Sequence, residues 1–291
     1  MTTNSITPGQ KKQYLRFVED AAERMLDEAG IDKDGIQRLI ENGGSFQTDI
    51  AASIKRLSVS NQYAAEEVVS TRGYPSGYRA PKPFAAQVGI LREVFPDLGS
   101  FDEALASSQS CIGLAEGNFA IPPWEKIAPT YGEAVEKVQA AIASRRKFYN
   151  YRQGQLGPQQ LREHPRSIAA WQTLRERQTG QDILVVPAQF GLRHRGRSVR
   201  RAREVFVASE FGLGSYATGI MHLTHPKRLV AYEDLCIDCA GDEFAPEAGG
   251  GFYGAPYWRF SGDRLGFGSD DFDLPYELFG SASGFFPECH P

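Results

Sequence analysis

Cysteine is scarce in this chain: Cys111, Cys236, Cys239 and Cys289 are the 4 present in 291 residues. So few thiols exclude a dense disulfide framework and fit a reducing compartment, so a cytoplasmic location is expected. Long apolar runs are also missing, and none approaches the roughly 20 residues needed to span a bilayer. The opening MTTNSITPGQKK has no apolar stretch behind a charged start, so neither an export signal nor a membrane partner is expected. Two stretches lack charge of one sign. From Arg145 to Arg203 there are only three acids (Glu163, Glu176 and Asp182) against 14 Lys and Arg. From Tyr232 to Pro291 only Arg259 and Arg264 stand against 12 acids. A formal net charge of −4 conceals this asymmetry. A basic middle and an acidic tail either neutralise one another inside the fold or face different partners.

What is present is ordinary for a soluble globular protein: 41% hydrophobic and 23% charged residues, enough for one or two domains. Pro8 after Thr7 signals a helix start, and Tyr14, Leu15, Val18, Ala21, Ala22, Met25, Leu26 and Ala29 keep a helical stripe until Gly30. Two shorter helices are expected near 34–42 and 46–57. The three could form a helix-turn-helix unit, but acids outnumber bases in the first 60 residues, so a helical packing module is the better reading. Asp32-Lys33-Asp34-Gly35 is read as a cap and turn, since the other ligands of a calcium loop are lacking. Thr130 and Glu133 form a capping box. Phe148-Tyr149-Asn150-Tyr151-Arg152 suits either stacking on bases or, the favoured reading, an edge strand with snorkelling charges.

The organising stretch runs from Asp182 to Glu243. The apolar run Ile183 to Ala188 reads as a strand. It leads into Arg193, Arg195, Arg197, Arg200, Arg201 and Arg203, with no acid until Glu204 and with Ser198 as an N-cap. Cations at a helix N-terminus are unfavourable unless an anion joins them, so an anion is expected here. A helix continues to Met221, with a close contact or break near Gly212 and Gly214. Leu235 to Ala240 reads as a second strand. Strand, helix and strand suggest a crossover with parallel strands, which would bring the arginine loop and Asp242 and Glu243 to one crevice.

Three readings of that crevice stay open. The arginines and Ser198 bind a phosphate-rich ligand, most of all nucleic acid. Alternatively, Asp238, Asp242 and Glu243 are catalytic and hold a divalent metal, giving a metal-assisted phosphoester enzyme. In the third, the acids pair with the arginines in a structural network or a face for a protein partner. No cofactor follows from the sequence. His222, His225, Cys236 and Cys239 imitate a zinc spacing: on a strand Cys236 and Cys239 point to opposite faces and cannot share an ion, whereas on a loop they can. Toward the C-terminus, Ser261-Gly262-Asp263-Arg264 between aromatic runs signals an antiparallel hairpin.

The runs Phe190 to Glu204, Ile237 to Phe244 and Gly280 to Gly284, with Ile121 to Ile127 and Tyr149 to Gly157, resemble a family of uncharacterised soluble bacterial proteins. The resemblance implies a soluble bacterial protein and carries no activity. The fold expected is α+β (or α/β): a helical region over 1–150, then over 151–291 a mixed-sheet domain with one βαβ-like crossover and C-terminal antiparallel strands.

Overall fold

Thr7 and Gln10 open the first helix by reciprocal capping. Gln10 N donates to Thr7 Oγ1 at 3.2 Å and Thr7 N to Gln10 Oε1 at 2.8 Å. The structure is a computed structural model that describes residues 7–28, 30–57, 62–108 and 113–287; Cys111 and Cys289 lie outside them. The chain separates into two compact units, Met1–Val59 and Ser60–Pro291.

The first unit consists of α1 (Pro8–Glu28), α2 (Lys33–Glu41) and α3 (Gly43–Leu57). Asp32 caps α2, its carboxylate accepting from Gly35 N at 2.7 Å. The helices are amphipathic, yet Leu15, Phe17, Ile40 and Phe46 remain exposed.

The second unit carries the remaining elements. First come α4 (Phe84–Val94), α5 (Glu103–Ser108), β1 (Gly117–Ile121), α6 (Tyr131–Ala143), β2 (Phe148–Asn150), β3 (Leu161–Glu163) and α7 (Pro165–Arg177). Then follow β4 (Leu184–Gln189), α8 (Val199–Val205), β5 (Glu210–Gly212), α9 (Ser215–Thr224), β6 (Cys236–Asp238) and β7 (Asp242–Phe244). The chain closes with β8 (Gly254–Ser261), β9 (Arg264–Asp271), β10 (Phe279–Ser281) and β11 (Ser283–Phe285). The capping box at Thr130 and Glu133 opens α6. Gly262, with φ +70°, makes the two-residue turn of the β8–β9 hairpin, in which Ser261 faces Arg264.

The strands form two sheets. One has four strands in the order β1-β4-β11-β5, all antiparallel. The other has seven: β10-β6-β8-β7-β3, with β9 against β8 and β2 against β9. The pairs β2–β9 and β6–β10 of this second sheet are parallel, so it is mixed and the fold is α+β. Strands from either side of position 150 share both sheets, β1 with β4 and β2 with β9. All ten residues of α9 are buried, and Phe119, Phe190, Phe211, Phe244 and Trp258 pack the core beside it. Among the described residues no helix is long and apolar enough to cross a membrane.

The expected crossover is not formed, because β4 and β6 belong to different sheets. Both edges of β4 are already occupied by antiparallel neighbours, β1 and the C-terminal β11, which leaves a parallel partner no place to pair. The expected break near Gly212 and Gly214 is present: α8 ends at Val205, and β5 intervenes before α9. A Cβ on Gly212 would lie 2.4 Å from the carbonyl carbon of Ala240, and one on Gly214 2.1 Å from an Asp242 carboxylate oxygen. The two glycines therefore let the 240–242 turn approach this segment.

Candidate functional site

The arginine loop owes its path to Gly191 and Gly196, both at positive φ. A Cβ on Gly196 would meet Val68 O at 2.2 Å, and that closeness seats residues 66–68 against the loop. Val68 N donates to Gly196 O at 2.7 Å, and Ser198 N to Glu66 O at 3.1 Å. Ser198 caps α8, its hydroxyl accepting from Arg201 N at 3.0 Å while donating to Glu66 Oε2 at 2.7 Å.

Most of the six guanidiniums meet carboxylates from within the chain. Arg200 grips both oxygens of Glu66, lies 3.5 Å from Asp273, and stacks 4.1 Å from the Tyr63 ring centre. Arg201 binds Glu67 at 2.5 Å, and Arg197 reaches the same oxygen at 3.4 Å. Arg193 lies 3.2 Å from both oxygens of Glu210. The other two hold carbonyls: Arg195 donates to Arg72 O at 3.0 Å, and Arg203 to Ala240 O at 2.9 Å and Asp242 O at 2.5 Å. Burial pushes Glu66 and Glu67 up, but hydrogen bonds from Arg200, Ser198 and Arg201 outweigh it and hold both below the ordinary range.

Glu210 is the buried centre of the network. It accepts from Ser283 Oγ at 2.6 Å and lies 2.7 Å from His194 Nε2. Arg197 approaches His194 Nδ1 at 3.1 Å. Guanidinium can only donate, so Nδ1 is the acceptor and His194 is the neutral tautomer with its proton on Nε2. Burial lowers the His194 pKa in the same direction.

The acids and metal candidates do not converge. Glu243 pairs with Arg162 at 2.7 Å, whereas its strand neighbour Asp242 is turned to Tyr131 and Ser215. Asp238 faces a separate small cavity beside Asp270, and burial and that second charge push its pKa up to about 8. Cys239 meets Thr218 Oγ1, and burial pushes the Cys236 thiol up to about 12. His225 Nε2 accepts from Lys82 N at 2.8 Å. His222 is buried against Phe190 and Trp258. Among the described residues no group of three or more His, Cys, Asp or Glu could hold a metal ion.

A second constellation lies at the start of α9. Glu163 on β3 and Asp242 on β7 are directly facing residues of an antiparallel pair, a placement that puts Cβ atoms about 4.5–5.5 Å apart on one face. Trp124 Nε1 donates to Glu163 at 3.1 Å. Tyr131 donates to one Asp242 oxygen at 2.6 Å, and Ser215 N to the other at 2.6 Å. Burial and the charge of Asp242 push the Glu163 pKa up to about 7, and burial takes Asp242 up to about 6. Glu163 lines a narrow cavity of about 20 Å³ together with Trp124, Tyr131, Trp171 and Tyr216. That is room on the order of one or two waters.

No protein-family model matches this chain, and no curated protein or solved structure matches it. Its function must therefore be argued from its own geometry.

Reading the sequence alone missed Glu163, Tyr131, Trp124, Trp171 and Tyr216. They come from five separate elements or turns, and only the β3–β7 register joins Glu163 to Asp242. One signal was available: Glu163 is one of three acids in the basic stretch from Arg145 to Arg203.

Proposed function

We propose that the arginine-dense loop works within the fold as an ion-pair lock, a structural and non-catalytic role that fastens residues 62–68 onto the 190–203 segment. The observation that carries this reading is the carboxylate partner found for each of Arg193, Arg197, Arg200 and Arg201. Buried or half-buried guanidiniums need such partners, and acids from four different positions supply them. Arg203 extends the lock by holding the carbonyls of the 240–242 turn.

A second reading is binding of a phosphate-rich ligand, nucleic acid foremost. It is favoured by one observation: Glu66 and Glu67 sit on the Ser198 hydroxyl and three guanidiniums as an anionic ligand would. A polyanion would take those donors by displacing residues 62–68.

One experiment separates the two. Labelled single- and double-stranded oligonucleotides are titrated across a salt series with the intact chain and with a Glu66→Gln/Glu67→Gln variant. The lock predicts no binding by the intact chain even at low salt, and a lower thermal midpoint in the variant. Salt-sensitive binding that tightens in the variant would instead support the polyanion.

A further inference from the structure

The cavity at the start of α9 is a place where the chain is short of a cation. Asp242 is wholly buried and Glu163 partly so, and the two face each other across a strand pair. The nearby cations are already paired: Arg175 in the cavity wall with Glu125 of the same wall, Arg162 with Glu243, and Arg203 with the carbonyls of Ala240 and Asp242. Asp242 has both oxygens occupied, and its bond from Ser215 N offsets the positive end of α9. Glu163 is therefore the carboxyl left facing the cavity. A second, independent feature points to a ligand. The hydroxyl of Tyr216, a residue 3% exposed that lines the cavity, has no hydrogen-bond partner among the described residues.

The remaining walls select the ligand class. Trp124, Tyr131, Trp171 and Tyr216 surround the space with aromatic rings, and aromatic faces attract organic cations. An anion would meet the Glu125 and Glu163 carboxylates in the wall, where Arg175 is already paired with Glu125. A bare metal ion would find one carboxyl without a cationic partner, Glu163, itself accepting from Trp124 Nε1, and no set of three ligating side chains among the described residues. We propose that this cavity binds the head of a small alkylammonium ion, with the Glu163 carboxylate as its counter-ion, the four rings as its walls and the Tyr216 hydroxyl as a neutral acceptor.

Charged and titratable groups face Glu163 from every element packed on it: Asp242 on β7, Glu125 in the turn after β1, Arg175 on α7 and Tyr131 on α6. Among them, burial and Asp242 dominate and keep the Glu163 proton on to about pH 7. An ammonium ion must displace that proton, so its apparent Kd rises about tenfold for each pH unit below this value.

Two of the three tryptophans, Trp124 and Trp171, line the cavity, so intrinsic fluorescence reads occupancy. The full chain is titrated with n-butylammonium, methylammonium and, as a neutral control, n-butanol, at pH values from about 5 to about 8. A saturable response to an ammonium ion, absent with butanol and weakening tenfold per unit below about pH 7, is expected. Glu163→Gln removes it with the far-ultraviolet circular dichroism unchanged. If that variant fails to fold, Tyr216→Phe, which loses only an unpartnered hydroxyl, weakens binding severalfold. No saturable response at about pH 8, an equal response to butanol, or an affinity independent of pH would overturn the proposal. A free amine and a lysine side chain share this head group. A capped lysine binding more tightly than butylammonium assigns the lysine, and the reverse order assigns the free amine.

Discussion

Glu210→Ala is the substitution that tests the internal lock most directly. The Glu210 side chain is fully buried and collects Arg193, the His194 Nε2 proton, Ser283 Oγ and Val207 N. Alanine leaves Arg193 without its carboxylate and strands the buried His194 and Ser283 donors. Removing one partner of a buried charged network costs about 3–5 kcal/mol, or roughly two to three and a half powers of ten in the folding constant. Arg200→Ala supplies the contrast. Its guanidinium is 31% exposed and its partner Glu66 16%, so solvent screens the pair and the cost is about 0.5–1 kcal/mol. Both are measured by urea unfolding followed by tryptophan fluorescence. Trp124, Trp171 and Trp258 all lie in the unit Ser60–Pro291, so the signal reports the unit that contains the lock. A Glu210→Ala cost below about 1 kcal/mol, or one equal to that of Arg200→Ala, would show that burial does not set the strength of this network.

Two further outcomes follow from the cavity and its surroundings. Gly214→Ala puts a methyl 2.1 Å from an Asp242 oxygen and 2.4 Å from the Tyr131 hydroxyl. It should cost about 1–3 kcal/mol through overpacking, and an unchanged thermal midpoint would refute the close approach. Stability should also depend on pH through Glu163, whose folded pKa of about 7 stands above the ordinary 4.5. The folded state holds the proton more tightly, so this contribution is fully present below about pH 4.5 and is lost as pH rises through 7. The loss is on the order of a few kcal/mol. Urea unfolding at several pH values should show a steeper loss in the intact chain than in Glu163→Gln, which keeps the contributions of Asp238 and Asp242, and the same slope in both would count against the shift.

Local chemistry already determined the elements that need no distant partner. Pro8 after Thr7, the Thr130 and Glu133 capping box, the glycine turn at 262–263 and the Ser198 cap act within a few residues, so spacing and residue type suffice. Alternation likewise marked the edge strand at 148–150, and the arginine density of 193–203 stood out as a run of charge in need of partners. What answered that charge was not legible. Glu66 and Glu67 lie more than a hundred positions from the loop, and nothing local says that a strained glycine loop will bring them to it. The crossover failed for a related reason. Whether β4 takes a parallel partner depends on which strand occupies its edge, and the occupant, β11, lies at the far end of the chain. Register decided the second site: a shift of one residue between β3 and β7 would have turned Glu163 away from Asp242. Sequence thus determined the pieces and their charge, while tertiary packing decided which charges meet, because long-range contacts depend on competition among all segments for the same strand edges and the same buried space.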